Sequence, residues 1–124
     1  MKLEKIFQTP TDKHYFFGYY DKSQLNKDSD KLLALEVDFL DHVPNKDDTA
    51  KIGYFKINDK NKEFIQLAET KTFNWQQGCM LQWLAPDFNT KVIYNDILDN
   101  KFVSYILDIN SGEKKLLQMP VYTV

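Results

Sequence analysis

The chain has 124 residues, the length of one ordinary domain, and its 43% hydrophobic content with 15% aromatic residues is too high for intrinsic disorder. Its 16 basic residues stand against 18 acidic ones, and every basic residue is Lys. The sequence therefore lacks both the basic surplus and the Arg side chains on which nucleic-acid recognition depends, and no nucleic-acid partner is expected.

The cysteine content and the N-terminus restrict the class further. A single Cys, Cys79, excludes an internal disulfide and a Cys-based structural zinc site. The N-terminal segment MKLEKIFQTP has no apolar run of signal-peptide length, and no stretch of about 18 consecutive apolar residues occurs anywhere in the chain. We therefore expect a cytoplasmic protein with no membrane partner.

Short runs rich in Val, Ile, Phe, Tyr and Leu recur between clusters of Asp, Asn, Lys and Gly, without helical periodicity. This pattern predicts an all-β chain. The predicted strands are, in chain order, 14–21, 31–38, 51–57, 63–69, 78–84, 91–95, 102–109 and 114–119. The segments 58–61 and 110–112 are rich in residues that favour tight turns, so they predict hairpins.

The two halves of the chain contain an internal repeat. Residues 31–33 match 91–93 at an offset of 60, whereas 57–58 and 64–67 match 109–110 and 116–119 at an offset of 52. A four-stranded unit that occurs twice explains this change, provided that the connection between its second and third strands, 39–50, is eight residues longer than its counterpart near 97–101.

Tandem four-stranded antiparallel units are the blades of a β-propeller. The predicted organisation is a lead-in at 1–13, a first blade at 14–70, a second blade at 71–119 and the start of a third blade at 120–124. The alternative is a single eight-stranded up-and-down barrel, which requires only continuous alternation of inward and outward residues. Because whole strands recur together with their turns, the repeat favours blades.

Long strings of the sequence carry a resemblance to a known family. They are HYFFGYYDKS at 14–23, KLLALEVDF at 31–39, DDTAKIGYF at 47–55, LAETKTFNWQQGCMLQW at 67–83, IYND at 93–96, FVSYILDINSGE at 102–113 and PVYTV at 120–124. The chain resembles the N-terminal part of an uncharacterised family of bacterial β-propellers, related to the WD-repeat-like propellers of the TolB and oligogalacturonate-lyase type. Phe73 stands where members usually carry Trp. Members are often labelled glycosyltransferase or lyase-like, so the resemblance implies a carbohydrate-active or carbohydrate-binding protein.

Propeller connectivity places the blade-joining segment 70–77, the loops 39–50 and 95–101 and the segment 120–123 at one face of the ring. Trp75 there offers a stacking platform beside amide groups that can hydrogen-bond a sugar. The predicted ligand-binding residues are Asn74, Trp75, Gln76, Gln77, Asn95 and Tyr122, and the ligand is an oligo- or polysaccharide. The structural alternative is that the Trp fills the wedge between two blades.

Catalytic and metal chemistry have little support in the residues. His14 and Asp96 are the predicted catalytic groups, because His suits acid–base work at neutral pH and both residues fall on the shared face. Neither His14 nor His42 has a partner at a metal-ligand spacing, so the sequence predicts no metal ligands and no cofactor. The lyase-type propellers that the chain resembles use a metal held by His and Gln. The resemblance therefore keeps a divalent-metal site as an alternative.

The sequence therefore supports two hypotheses about function. The first is a carbohydrate-binding or carbohydrate-processing propeller, and the second is a non-enzymatic scaffold whose loops hold a protein or peptide. Both hypotheses need more than two blades, since a blade buries its flat faces only against neighbouring blades. We accordingly expect either the remaining blades of a longer chain or further copies of this chain to complete the ring.

Overall fold

The structure is a computed structural model, and it describes residues 9–10, 13–17, 24–39, 44, 47–74 and 78–120. The strands are β1 (His14–Phe16), β2 (Lys31–Val37), β3 (Ala50–Lys56), β4 (Ile65–Thr70), β5 (Gln82–Trp83), β6 (Lys91–Leu98), β7 (Lys101–Asp108) and β8 (Lys114–Leu117). None of the described segments forms a helix with the length and apolarity that crossing a membrane requires.

The strands divide between two four-stranded sheets, and every neighbouring pair is antiparallel. Sheet 1 has the order β1-β2-β3-β4 and sheet 2 the order β5-β6-β7-β8, so each sheet is a meander of consecutive strands. The predicted all-β class and its two four-stranded units are confirmed. The strands do not close into the single barrel that was the alternative.

Strand pairing confirms the first part of the internal repeat. Lys31 pairs with Lys56 in sheet 1, and their counterparts at offsets of 60 and 52, Lys91 and Asp108, pair in sheet 2. The longer connection is present as expected, because sheet 1 has a loop at 38–49 where sheet 2 has only the two-residue turn 99–100. Equivalent positions of the two sheets can therefore be compared residue by residue along these strands.

The repeat fails in the fourth strand. Tyr54 pairs with Ile65, but its counterpart Ile106 pairs with Lys115 rather than with Leu117, the residue that the offset of 52 predicts. The connection from β3 to β4 is longer than the one from β7 to β8, and a bulge interrupts the pairing of β3 with β4. In this strand, the residues that match in sequence therefore do not occupy equivalent positions in the strand pairing.

Two predicted strands keep less than half of their expected length. The predicted strand 78–84 is reduced to β5 (Gln82–Trp83), because Gly78 and Met80 adopt left-handed backbone with φ of 61° and 59°. Cys79 lies in this bend and not within a strand, although it is buried as expected. The predicted strand 14–21 ends at Phe16, and its remainder from 18 onward lies outside the described residues.

The hydrophobic core lies between the two sheets. Alternate residues of β2, β3, β6 and β7 point towards the opposite sheet, as the two-residue period of a strand requires. The buried core consists of Phe17, Leu33, Leu35, Val37, Ala50, Ile52, Tyr54, Ala68, Cys79, Leu81, Trp83, Val92, Tyr94 and Leu107. Because this single cluster draws residues from both sheets, each sheet depends on the other for the burial of one face.

Antiparallel pairing places three connections at one end of the sheets. They are the loop 38–49, the junction that begins after Thr70, and the turn 99–100. We call this the loop end. The turn consists of Asp99 and Asn100 with φ of 51° and 63°, which is the two-residue geometry that matches the twist of a hairpin and that Asp and Asn tolerate.

Candidate functional site

An open cleft of about 630 Å³ lies at the loop end, between sheet 1 and the β6–β7 hairpin. Its walls come from the loop before β3, from the end of β4 and from the hairpin turn. The lining residues are Asp47, Thr49, Glu69, Thr70, Lys71, Asp96, Ile97, Asp99 and Asn100. The cleft therefore exists only because the two sheets pack together.

Hydrogen bonds across the sheets fix the floor of the cleft. The Thr70 hydroxyl is buried and donates to the backbone carbonyl of Asn95 at 2.6 Å. The Asp96 carboxylate Oδ1 accepts from the backbone N–H groups of Lys71 at 3.1 Å and of Ile97 at 2.8 Å, and lies 3.3 Å from the Thr70 hydroxyl. These bonds tie the end of β4 to β6, so Asp96 has a structural role beside any role in binding.

The cleft is strongly acidic. Among the described residues, four carboxylates, those of Asp47, Glu69, Asp96 and Asp99, line it together with one ammonium group, that of Lys71. Within the described segments, no three His, Cys, Asp or Glu side chains come together in a way that could hold a metal ion. Carboxylate and hydroxyl oxygens at several angles around open space are suited to accept hydrogen bonds from a ligand rich in hydroxyl groups.

The structure brings only some of the predicted site residues to this cleft. Asp96 lines it, and Asn95 lies directly beneath, with its backbone N–H donating to the Cys79 carbonyl at 2.8 Å. His14 is exposed at the start of β1, and three strand spacings, about 14 Å, separate β1 from β4 at the cleft side of sheet 1. His14 is therefore at the edge of sheet 1 farther from the cleft, whereas Asp96 lies beyond the opposite edge, on β6 of sheet 2.

Most of the predicted ligand-binding residues are not among those that the structure describes. Trp75, Gln76, Gln77 and Tyr122 lie outside the described residues. Asn74 is exposed and exchanges two backbone hydrogen bonds with Gly78, of 3.1 and 2.9 Å, immediately beside that segment.

Sequence reasoning missed most of the cleft lining. It placed the loops 39–50, 70–77 and 95–101 on a common face, but of their acidic and lysine residues it selected only Asp96 as a candidate. Glu69 and Lys71 flank the buried Thr70, and Asp99 forms the hairpin turn, so each has an ordinary local explanation. The signal that could have found them is that acidic residues recur within or beside the three connections that share one end.

A buried titratable pair lies behind the cleft floor. Burial, with a smaller contribution from the Asp96 carboxylate, raises the pKa of the Cys79 thiol from an ordinary value of 9.0 to about 12. The same two causes raise the pKa of Tyr94 well above its usual range, and the buried Tyr94 hydroxyl has no hydrogen-bond partner among the residues that the structure describes. Both groups stay protonated at neutral pH, so neither supplies a nucleophile.

This burial predicts the chemical behaviour of Cys79. At pH 8 we expect a thiol-reactive reagent to label the native chain far more slowly than the urea-unfolded chain, because the thiolate is the reactive form. From pH 9 upward the free energy of unfolding should fall, since the unfolded thiol ionises from about pH 9 while the native thiol keeps its proton to about pH 12.

Cys79→Ala is the control for the alkaline effect. Its free energy of unfolding should fall less steeply between pH 9 and 11 than that of the unsubstituted chain, and the difference isolates the thiol from the lysines and Tyr94. Rapid labelling of the native chain at pH 8, with unchanged circular dichroism, would contradict the buried placement.

No protein-family model matches the sequence, and comparisons with curated proteins and with solved structures found no match.

Proposed function

We propose that the chain forms two blades of a β-propeller and that the loop-end cleft binds a carbohydrate. The cleft is the observation that carries the proposal, because its volume of about 630 Å³ falls within the range of about 300–1,000 Å³ common for small-molecule sites. It also opens at the end where the family resemblance expects the ligand face.

The lining supports a hydroxyl-rich ligand. The Glu69, Asp96 and Asp99 carboxylates can accept hydrogen bonds from sugar hydroxyls, and the Lys71 ammonium and Asn100 amide can donate to sugar oxygens. Of the described lining residues, only Ile97 has a sizeable apolar side chain, so this part of the cleft does not favour a lipid or an aromatic ligand.

The charge of the cleft favours a neutral saccharide. The described lining residues supply four carboxylates and one ammonium group, a net charge of −3 when all are ionised. A uronic acid chain would bring its own carboxylates into this negative field, and the repulsion would lower its affinity. A neutral oligosaccharide has no such penalty.

The blade part of the proposal is supported by the two meanders. They have the same strand order, the same register between their second and third strands, and a shared core between facing sheets. Four-stranded meanders packed face to face are the arrangement of neighbouring propeller blades.

Ligand binding can be tested with a panel of neutral and acidic oligosaccharides and thermal-shift detection. A bound saccharide should raise Tm, and at 100 times its Kd it should stabilise the native state by about 2.7 kcal/mol. Asp99→Asn keeps the left-handed turn but removes one charge, so it should weaken binding while leaving the unliganded Tm unchanged within about a degree. Glu69→Gln removes another carboxylate of the cleft and should also weaken binding.

Glu113→Gln is the matched control, because Glu113 is exposed in the β7–β8 connection away from the loop end. It should bind as the unsubstituted chain does. The proposal fails if no saccharide shifts Tm, or if a saccharide shifts it equally in all three variants and in the unsubstituted chain.

A further inference from the structure

Two apolar side chains of sheet 2 are exposed although their counterparts in sheet 1 are buried. Val37 and Ala50 are 3% and 0% exposed in the core between the sheets. Their counterparts at the repeat offsets of 60 and 52 are Ile97 and Phe102, which pair with each other across β6 and β7 and are 36% and 59% exposed. The same repeat position thus lies in the contact between the sheets in sheet 1 and is exposed to solvent in sheet 2.

We infer that this open face of sheet 2 binds the outer face of sheet 1 in a second copy of the chain, so that copies associate head to tail. The open face is the side of sheet 2 that carries Ile97, Phe102 and the half-buried Ile106, and Met119 adds a side chain that is 69% exposed. On the same side Ile93, Asn95 and Ser104 are already buried within the chain, so the exposed part of this face is its loop end. The inference rests on the blade part of the proposed function and not on its ligand.

The outer face of sheet 1 is suited to receive it. Its counterpart in sheet 2 is the face that packs on sheet 1, where Tyr94 and Tyr105 place their rings 5.7 Å apart. In sheet 1 the corresponding positions are Ala34 and Gly53, which are too small to fill that space.

Aromatic rings from other positions in or beside sheet 1 fill the space that Gly53 leaves. Phe64 folds over Gly53, so that a Cβ added there would lie 2.7 Å from the Phe64 ring. Tyr15 and Phe64 lie 5.0 and 5.3 Å from the ring of Phe55 on the same face. The outer face of sheet 1 therefore carries the half-buried rings of Tyr15 and Phe64 above the fully buried Phe55, where sheet 2 carries its tyrosine pair.

Charge also favours the head-to-tail contact. Within the strands, the open face of sheet 2 carries Lys91, Lys115 and Asp108, a net charge of +1. The outer face of sheet 1 carries Glu36, Lys51 and Glu69, a net charge of −1. An open face against a second open face would instead set like charges together.

A head-to-tail contact either closes into a ring or continues as a filament. Because propellers close with about four to eight blades and each chain supplies two, we expect a ring of two to four copies. Light scattering on the purified chain without saccharide should give this discrete mass at all concentrations above the dissociation constant. A monomer, or a mass that grows without limit, would overturn the inference.

Phe102→Asp should reduce the mass to that of one chain, because it places a carboxylate in the contact at a position that is 59% exposed within the single chain. Phe88→Asp is the matched control. Phe88 is also exposed, at 46%, but it lies in the β5–β6 connection, so this variant should keep the mass of the unsubstituted oligomer. Circular dichroism checks that both variants are folded.

Mixing two variants tests the direction of the contact. Gln66→Arg places a cation on the outer face of sheet 1, so it should also give single chains, while its open face stays intact. Mixed with Phe102→Asp, it should form pairs of twice the chain mass, since each variant then supplies one intact face. If Gln66→Arg still forms the full oligomer, or if the mixture stays monomeric, the head-to-tail contact is wrong. Asp99→Asn should not change the mass, which separates this test from the test of the ligand.

Discussion

Gly78→Ala should lower the free energy of unfolding by about 4 kcal/mol, because two independent penalties coincide at this residue. Gly78 has a φ of 61°, where a side chain costs about 1–2 kcal/mol. An added Cβ would also lie 2.3 Å from the backbone oxygen of Phe17 and 2.9 Å from the Cδ1 atom of Leu35. The backbone oxygen cannot rotate away as a side chain can, so the junction between the sheets would have to shift.

Gly112→Ala is the control that separates the two penalties. Gly112 has a φ of 79°, and an added Cβ would meet nothing within 4 Å. This variant should therefore lose only about 1 kcal/mol. Urea unfolding followed by far-ultraviolet circular dichroism measures both variants. Equal losses would mean that the close approach of Gly78 to Phe17 contributes nothing to stability.

Gly78 also illustrates what the sequence can and cannot predict. The strands β2, β3, β6 and β7 can be predicted from the alternation of apolar and polar residues, because the apolar positions of this pattern are those that the fold buries. Around Gly78 the local composition, GCMLQW, is as apolar as a strand, but left-handed backbone at Gly78 and Met80 prevents extension before Gln82. Tertiary packing against sheet 1 determines this bend, and a local sequence pattern carries no information about that packing.

The candidate cleft was harder to predict for a related reason. Thr70 and Asn95 are 25 residues apart, and their hydrogen bond depends on how two sheets stack. The sequence located the connections that share one end, because meander topology alone determines which loops lie together. It could not assign Glu69 or Asp99 to a common cleft, since each also fits an exposed turn. Asp96 was selected for acid–base chemistry, yet its carboxylate also holds the backbone of Lys71.

The comparison of equivalent positions depends on the same repeat. Pairing of Lys31 with Lys56 and of Lys91 with Asp108 fixes the correspondence between the sheets more firmly than sequence similarity does. In the fourth strand, where similarity and pairing disagree, similarity alone would have assigned the wrong partners. The equivalent positions compared in the open-face inference are therefore taken only from β2, β3, β6 and β7.

Trp83→Ala should lower the free energy of unfolding by about 3–5 kcal/mol, the range expected when a large aromatic side chain is removed from a core. Trp83 is only 6% exposed and belongs to the cluster between the sheets. Its indole N–H donates to the backbone carbonyl of Gln24 at 3.0 Å, so β5 of sheet 2 is bonded to the segment that leads into β2 of sheet 1.

Trp83→Phe separates the bond from the volume. It keeps most of the apolar ring but lacks the N–H, and the Gln24 carbonyl still accepts from the Leu33 backbone N–H at 3.0 Å. The loss should therefore be smaller, about 1–2 kcal/mol. Phe88→Ala, at a side chain that is 46% exposed, should change stability by no more than about 0.5 kcal/mol.

The shape of the Trp83→Ala transition carries a second test. Since one core serves both sheets, they should unfold together, and calorimetry should show a single transition that is shifted to lower temperature. If the variant instead shows two transitions, with one at the original temperature, one sheet is stable without the other. In that case the contact between the sheets adds little to stability, and the cleft that this contact creates would not be a fixed site.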